Sequence, residues 1–271
     1  MSNMKRTMNP RVIAFAVDKG GVGKTTSVLN ISAGLATRGY RVLVIDLDQQ
    51  ANLTGALLES SPEKTLLDAL NDPSRGLPAF PVSPNLALVP ATPKMFGVGL
   101  TLITDMAKAP YEGRPVCDMR RVLRQLITPI VHDYDYVLLD CPPSDNLLMI
   151  NALYAATGVV IVANAEPFCV SGVRNYFDMM MAVKNDLNPH LALVGVLINN
   201  YETGSIGHKR AEAALRQFLP QYVFGTVVRH SRPLYNAILS HKDIFRYDPK
   251  SIGAYDFNLI INEFIERTND E

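Results

Sequence analysis

The sequence predicts a doubly wound α/β fold: a mostly parallel sheet of about seven or eight strands with helices on both faces. Three observations predict it. Short apolar runs recur along the chain without strict polar alternation, as strands covered on both faces require. Segments with helical spacing lie between these runs. A glycine-rich turn joins the first run to the first helical segment, which places a strand, a turn and a helix in succession.

The strands expected in chain order are 12–17 (VIAFAV), 42–46, 86–90, 136–140, 159–165, 191–199 and 223–228. A helix is expected from near Lys24, with Val28, Leu29, Ile31, Ser32 and Leu35 on its inward side and Gly39 as its C-terminal stop. Residues 119–131, 171–186 and 208–219 carry the same spacing, and a last helix is expected from near Ser251. Two Pro/Gly-rich stretches, 71–84 and 109–115, read as surface loops inserted within one domain that spans 1–271, with 1–10 a flexible N-terminus.

Bulk properties narrow the function. A 48% hydrophobic and 19% charged composition is that of a globular domain with a sizeable core. Formal net charge is zero, so nucleic acid or membrane binding would need a local patch rather than a global field. Cys117, Cys141 and Cys169 lie far apart with no C-x-x-C, which argues against a zinc or redox motif. The N-terminus has no apolar core of a signal peptide, and no run is long and apolar enough to cross a bilayer.

The chemistry-bearing stretch is AVDKGGVGKTTS, residues 16–27. Gly23-Lys24-Thr25 ends a phosphate-binding loop, but Asp18 stands where the usual G-x-x-x-x-G-K-[ST] pattern has its first glycine, and Lys19 follows it. Gly20, Gly21 and Gly23 allow turns closed to other residues, so that backbone N–H groups can face phosphate oxygens at a helix N-terminus. Lys24 would neutralise the β- and γ-phosphates, and the Thr25 hydroxyl would serve Mg²⁺. Two carboxylate motifs follow at strand ends: VIDLDQQANLT (44–54) with Asp46 and Asp48, and YDYVLLDCPPS (134–144) with Asp140. The second is a Walker B pattern, in which Asp140 would hold Mg²⁺ through water. Taken alone, Asp-x-Asp after a strand is a weak signal better read as a surface turn; three motifs in this order are not a coincidence.

KGGVGKTT resembles the deviant Walker A loop of the ParA/MinD family of P-loop ATPases. The resemblance continues through 44–54, 65–70, 85–92, 134–144, 147–173 and 191–205, and is that of the short, partition-type ParA/Soj proteins. It implies binding of ATP and Mg²⁺ through Lys19, Gly20, Gly21, Val22, Gly23, Lys24, Thr25 and Thr26. It also implies catalytic roles for Lys19, Lys24 and Asp48, a metal shell of Thr25, Asp46 and Asp140, and an adenine contact at Asn199. In this family the early lysine reaches the phosphates bound by a second copy, which makes Lys19 the mark of an ATP-dependent homodimer. Asp18, Gln49 and Ala51 depart from the family pattern, as does the segment 227–245.

The family further implies a slow ATPase stimulated by a ParB-like partner, nonspecific DNA binding, a cytoplasmic, nucleoid-associated location, and segregation or positioning of plasmid or chromosome DNA or another cargo. Residues 200–250 hold eight Lys and Arg against four Asp and Glu in a chain of zero net charge. Lys209, Arg210, Arg229, Arg232 and Lys242 are the DNA-contacting candidates drawn from that stretch. Two other readings compete: a MinD-like membrane-positioning ATPase, which the acidic C-terminal segment disfavours, and an ATP-binding scaffold with little turnover. An iron–sulfur electron carrier is disfavoured by the cysteine placement.

Overall fold

A computed structural model describes residues 10–16, 20–113, 118–143 and 147–269. Its sheet has seven strands: β1 (Arg11–Ala16), β2 (Val42–Asp46), β3 (Phe80–Ser83), β4 (Leu86–Val89), β5 (Tyr136–Asp140), β6 (Gly158–Asn164) and β7 (Ala192–Asn199). They lie in the order β3-β4-β2-β5-β1-β6-β7. All neighbours are parallel except β3, which runs antiparallel to β4.

Alternation along each strand sorts the core into two layers. Ile13 and Phe15 of β1, Val42 and Val44 of β2, and Leu138 of β5 face α1 (Lys24–Thr37) and the C-terminal helix 252–269. Val12 and Ala14, Leu43 and Ile45, and Val137 and Leu139 face the other layer. The helices of that layer include α5 (Val122–Ile127), α6 (Leu147–Ala155) and α7 (Cys169–Asp186). Before them in the chain lie α2 (Asn52–Leu57), α3 (Leu66–Asn71) and α4 (Val98–Lys108). After them lie α8 (Ile206–Phe218), α9 (Arg232–Leu239), α10 (Ile244–Tyr247) and α11 (Ile252–Asn269). Among the described residues no helix is long and apolar enough to cross a membrane.

Two expectations are corrected. The stretch 71–84 is not all loop, since its end forms the edge strand β3. An outer edge tolerates Pro81, because one side of the strand needs no donor. Conversely, 223–228 is not a regular strand. It touches the sheet through isolated bridges at Val223 and Arg229, while the Gly225 N–H turns away to the Glu263 carboxylate at 3.0 Å. Arg267 donates to the carbonyls of Tyr222 and Val223 at 2.9 and 3.1 Å, and the first of these also accepts from the Val196 N–H of β7 at 2.8 Å. The expected flexible N-terminus falls outside the described residues, apart from Pro10.

Candidate nucleotide site

The site forms where β1, β2 and β5 end together. Phe15 and Asp46 are both register partners of Asp140, so the phosphate loop and both carboxylate motifs leave the sheet at one level. This is where open parallel sheets bind ligands.

Gly21 and Gly23 both have φ +81°, which only glycine takes without strain. Among the described residues no side-chain hydrogen bond caps the start of α1, so its first-turn N–H groups are left for an anion. Asn199, at the end of β7, donates its amide to the Val22 carbonyl at 2.7 Å and lies buried against Gly23. In this structure the Asn199 amide, the expected adenine contact, clamps the phosphate loop through Val22. Val22 is itself buried, Gly20 and Gly21 are exposed, and Thr26 accepts from Asn30 at 2.8 Å through its carbonyl.

Lys24 is 6% exposed and ion-paired with the fully buried Asp140; Asp48 lies 4.0 Å from the same ammonium. Burial alone pulls the Lys24 pKa down, but attraction from Asp140 and the hydrogen bond to it outweigh that and leave it raised. The Thr25 hydroxyl donates to the second Asp140 oxygen at 2.9 Å. Burial raises Asp140 as well, with Lys24 and Thr25 pulling against it. Cys141 is fully buried, and burial pushes its thiol up to about 12, so it stays protonated and inert.

The chain turns between Asp46 and Asp48. The Asp48 N–H donates to Asp46 at 3.1 Å, and Asp48 in turn accepts from the Gln50 N–H at 2.9 Å. That turn aims Asp48 toward Lys24 and leaves its second oxygen, 4.0 Å from the ammonium, facing the loop. Asp46, expected to support the metal shell, is held by Thr54 and the Asp48 N–H. Its carboxylate is fully buried and accepts from the Thr54 N–H at 2.9 Å and the Thr54 hydroxyl at 2.8 Å, which pins the start of α2. Burial first, and then Asp140, push its pKa up to about 7.

The donor set fits a magnesium nucleotide. Thr25 and Asp140 are adjacent, as a hard cation with oxygen ligands requires, and the loop supplies a lysine and free N–H groups for phosphate. Among the described residues no cluster of three or more His, Cys, Asp or Glu could hold an ion unaided. A cation here would be shared with phosphate oxygens.

A family model described as an AAA domain matches residues 10–193. The chain is 36% identical over 260 residues to the chromosome-partitioning ATPase Soj of Thermus thermophilus, with 96% of this chain and 97% of Soj covered. It is 32% identical to the chromosome partitioning protein ParA of Myxococcus xanthus, covering 95% and 88%. The chain is a member of the ParA/MinD family of P-loop ATPases. Among solved structures, cobyrinic acid a,c-diamide synthase from Mycobacterium smegmatis, with an ATP analogue and magnesium bound, superposes with a TM-score of 0.78. That match is at 25% identity and covers 96% and 95% of the two chains.

In this ParA-type ATPase the signature lysine, Lys19, and Asp18 beside it lie outside the described residues. Of the basic candidates, Lys209 and Arg210 project from α8, Arg232 from the start of α9, and Lys242 from the turn after it. All four are exposed and engage no ion pair among the described residues. Arg229 differs. Its guanidinium grips the buried Asp256, with N–O distances of 2.5–3.1 Å, and sits 5.9 Å from the Tyr255 ring centre. Its charge is already neutralised, so it is a structural cation. Sequence reasoning missed Thr54, Asn30 and His241, whose hydrogen bonds join segments near the site and carry no periodicity and no motif.

Proposed function

We propose that this chain binds Mg-ATP at the loop 19–26, pairs face to face with a second copy, binds DNA without sequence preference, and hydrolyses ATP slowly until a ParB-like partner accelerates it. That cycle would segregate or position DNA or another cargo, with the ATP-loaded form on the nucleoid of the cytoplasm. The observation that carries this reading is the grouping of Lys24, Thr25, Asp48 and Asp140 within ion-pair or hydrogen-bond reach at one sheet end. It supplies a phosphate cation, a metal-binding pair and a carboxylate free to orient water. Lys19 enters through its place in the motif: a second cation brought by a partner copy would stabilise charge that develops during transfer.

DNA retention draws on Lys209, Arg210, Arg232 and Lys242, which are exposed cations without ion-pair partners among the described residues. Membrane attachment forms no part of the reading. The last-turn cation of α11, Arg267, is spent inside the protein on Glu263 and three backbone carbonyls.

The test compares wild type with Lys19→Ala for nucleotide uptake, mass in solution with ATP, retention on random-sequence DNA, and phosphate release. The variant should take up ATP, stay monomeric and release DNA. An ATP-loaded Lys19→Ala protein that dimerises and holds DNA like wild type would sink the reading.

A further inference from the structure

The turn between α9 and α10 is bonded to both nucleotide-facing segments. His241 sits at φ +52°, a left-handed conformation uncommon for a residue with a side chain, although it is exposed. Its ring Nδ1 lies 2.6 Å from the Gly55 carbonyl of α2. A carbonyl only accepts, so Nδ1 carries the proton. Gly55 follows Thr54, whose N–H and hydroxyl both hold Asp46, and Asp46 in turn holds the Asp48 N–H. One path therefore runs from Asp48 through Asp46, Thr54 and Gly55 to His241.

A second path is buried. The Ile244 N–H donates to Asn30 of α1 at 2.8 Å, and the Asn30 amide donates to the carbonyl of Thr26 in the phosphate loop's helix at 2.8 Å. Residues 241–244 thus bracket the phosphate-loop helix on one side and the Asp46–Asp48 loop on the other. The same turn is continuous with the basic segment. The His241 N–H donates to Ile238, and the Lys242 N–H to Ala237, both in α9, which begins at Arg232.

We propose that His241 is a positioning residue that couples the Asp46–Asp48 loop to the α9 segment, so that nucleotide state sets the placement of Arg232 and Lys242. The DNA part of this inference rests on the function proposed above. Coupling of this kind needs contacts that differ between two states, and the single His241–Gly55 bond is an exposed link able to form or break as α2 shifts. The strained backbone at His241 has the same sense, since the turn is held in that conformation by the bonds on either side of it.

Two substitutions separate the side chain from the backbone. His241→Gly keeps the left-handed turn without strain and removes the donor. His241→Asn tolerates the same turn and carries an amide nitrogen at the bond position of Nδ1. The full-length chain is followed by hydrogen exchange of the 242–248 amides with and without Mg-ATP, by retention on random-sequence DNA, by ATP affinity and by thermal melting. Wild type should show an ATP-dependent change in exchange. His241→Gly should lose that change and about tenfold of its ATP-dependent DNA retention, while keeping its ATP affinity and melting temperature. His241→Asn should recover both.

The proposal is overturned if His241→Gly responds to ATP like wild type, if His241→Asn fails along with it, or if melting temperature and ATP affinity fall together, which would make the residue merely structural. A wild type that never retains DNA, yet shows the ATP-dependent exchange change, would sink the DNA reading and leave the coupling standing. A wild type with no exchange change would sink the coupling.

Discussion

Lys24 and Asp140 share a buried ion pair that ties the start of α1 to the end of β5. The two Asp140 oxygens are divided between the Lys24 ammonium and the Thr25 hydroxyl, so groups expected to serve phosphate and metal are held together by protein contacts. A nucleotide must draw Lys24 away from this carboxylate, and a cation would restore the charge balance. Removing Lys24 alone strands a fully buried carboxylate, at a cost of about 3 kcal/mol or more. Lys24→Met should therefore abolish nucleotide binding and also lower the stability of the nucleotide-free protein by about that amount. The double variant Lys24→Met/Asp140→Leu should regain most of the stability and none of the binding. Urea denaturation and a nucleotide titration on the same samples check both halves.

Asp46 gives the nucleotide-free protein a pH dependence of definite sign. Its pKa in the fold is about 7 against an ordinary 3.8, because burial disfavours the charged form and Asp140 adds to that. The fold therefore binds this proton more tightly than the unfolded chain does. Its contribution is complete below the ordinary value, falls as pH rises, and is lost by the time pH passes through the folded value. Asp68, Asp118 and Asp135 are held below the usual carboxylate range by their own partners, so their effect lies at lower pH and has the opposite sign. Denaturation curves between about pH 5 and pH 7 should show wild-type stability declining with pH, and Asp46→Asn should flatten that slope even though its baseline is lower. An equal slope in the two proteins would contradict the raised value.

The strands with continuous apolar runs were legible because burial on both faces leaves no other reading, as in Val42–Asp46 and Tyr136–Asp140. Lys24, Thr25 and Asp140 were legible because a loop, a helix start and a strand end fix their neighbourhood from spacing alone. Asp46 and Asn199 were not, since which way a carboxylate or amide turns depends on partners distant in the sequence or hidden in a turn. Thr54 follows Asp46 by eight positions, and Val22 precedes Asn199 by 177. The edge strand at 80–83 was masked by Pro81, and the irregularity at 223–228 by the Gly225 N–H turning to Glu263 of the far C-terminal helix.

Gly23 and Gly39 make a matched pair for the phosphate loop. Both have positive φ, at +81° and +88°, so alanine at either is strained by about 1–2 kcal/mol. A Cβ on Gly39 meets open space, whereas one on Gly23 would fall 1.7 Å from the Asn199 amide nitrogen. Gly39→Ala should thus cost only the strain and leave ATP affinity unchanged. Gly23→Ala must expel Asn199 from the Val22 carbonyl, and should lose ATP binding altogether. Asn199→Ala, with a cavity in place of a clash, should fall between them, with a weakened affinity for ADP and ATP alike because the contact is to the loop. Isothermal titration of the three variants with both nucleotides checks the order.

Arg229 and Arg232 are three residues apart and should fail in different ways. Arg229→Ala strands Asp256, which is 1% exposed and, among the described residues, keeps only the backbone N–H of residue 229 as a donor. The expected loss is about 2 kcal/mol of stability, discounted because the Arg229 side chain is itself about 30% exposed. Arg232 is exposed and engages no ion pair among the described residues, so Arg232→Ala should leave the melting curve in place. If Arg232 neutralises a phosphate, its loss should weaken ATP-dependent DNA retention uniformly across sequences and reduce the slope of log affinity against log salt by about 1. Arg229→Ala should keep the wild-type salt slope under conditions where it remains folded. Retention measured over a salt series for both variants separates them, and a reduced slope for Arg229→Ala with full stability would return that residue to the DNA-contacting set.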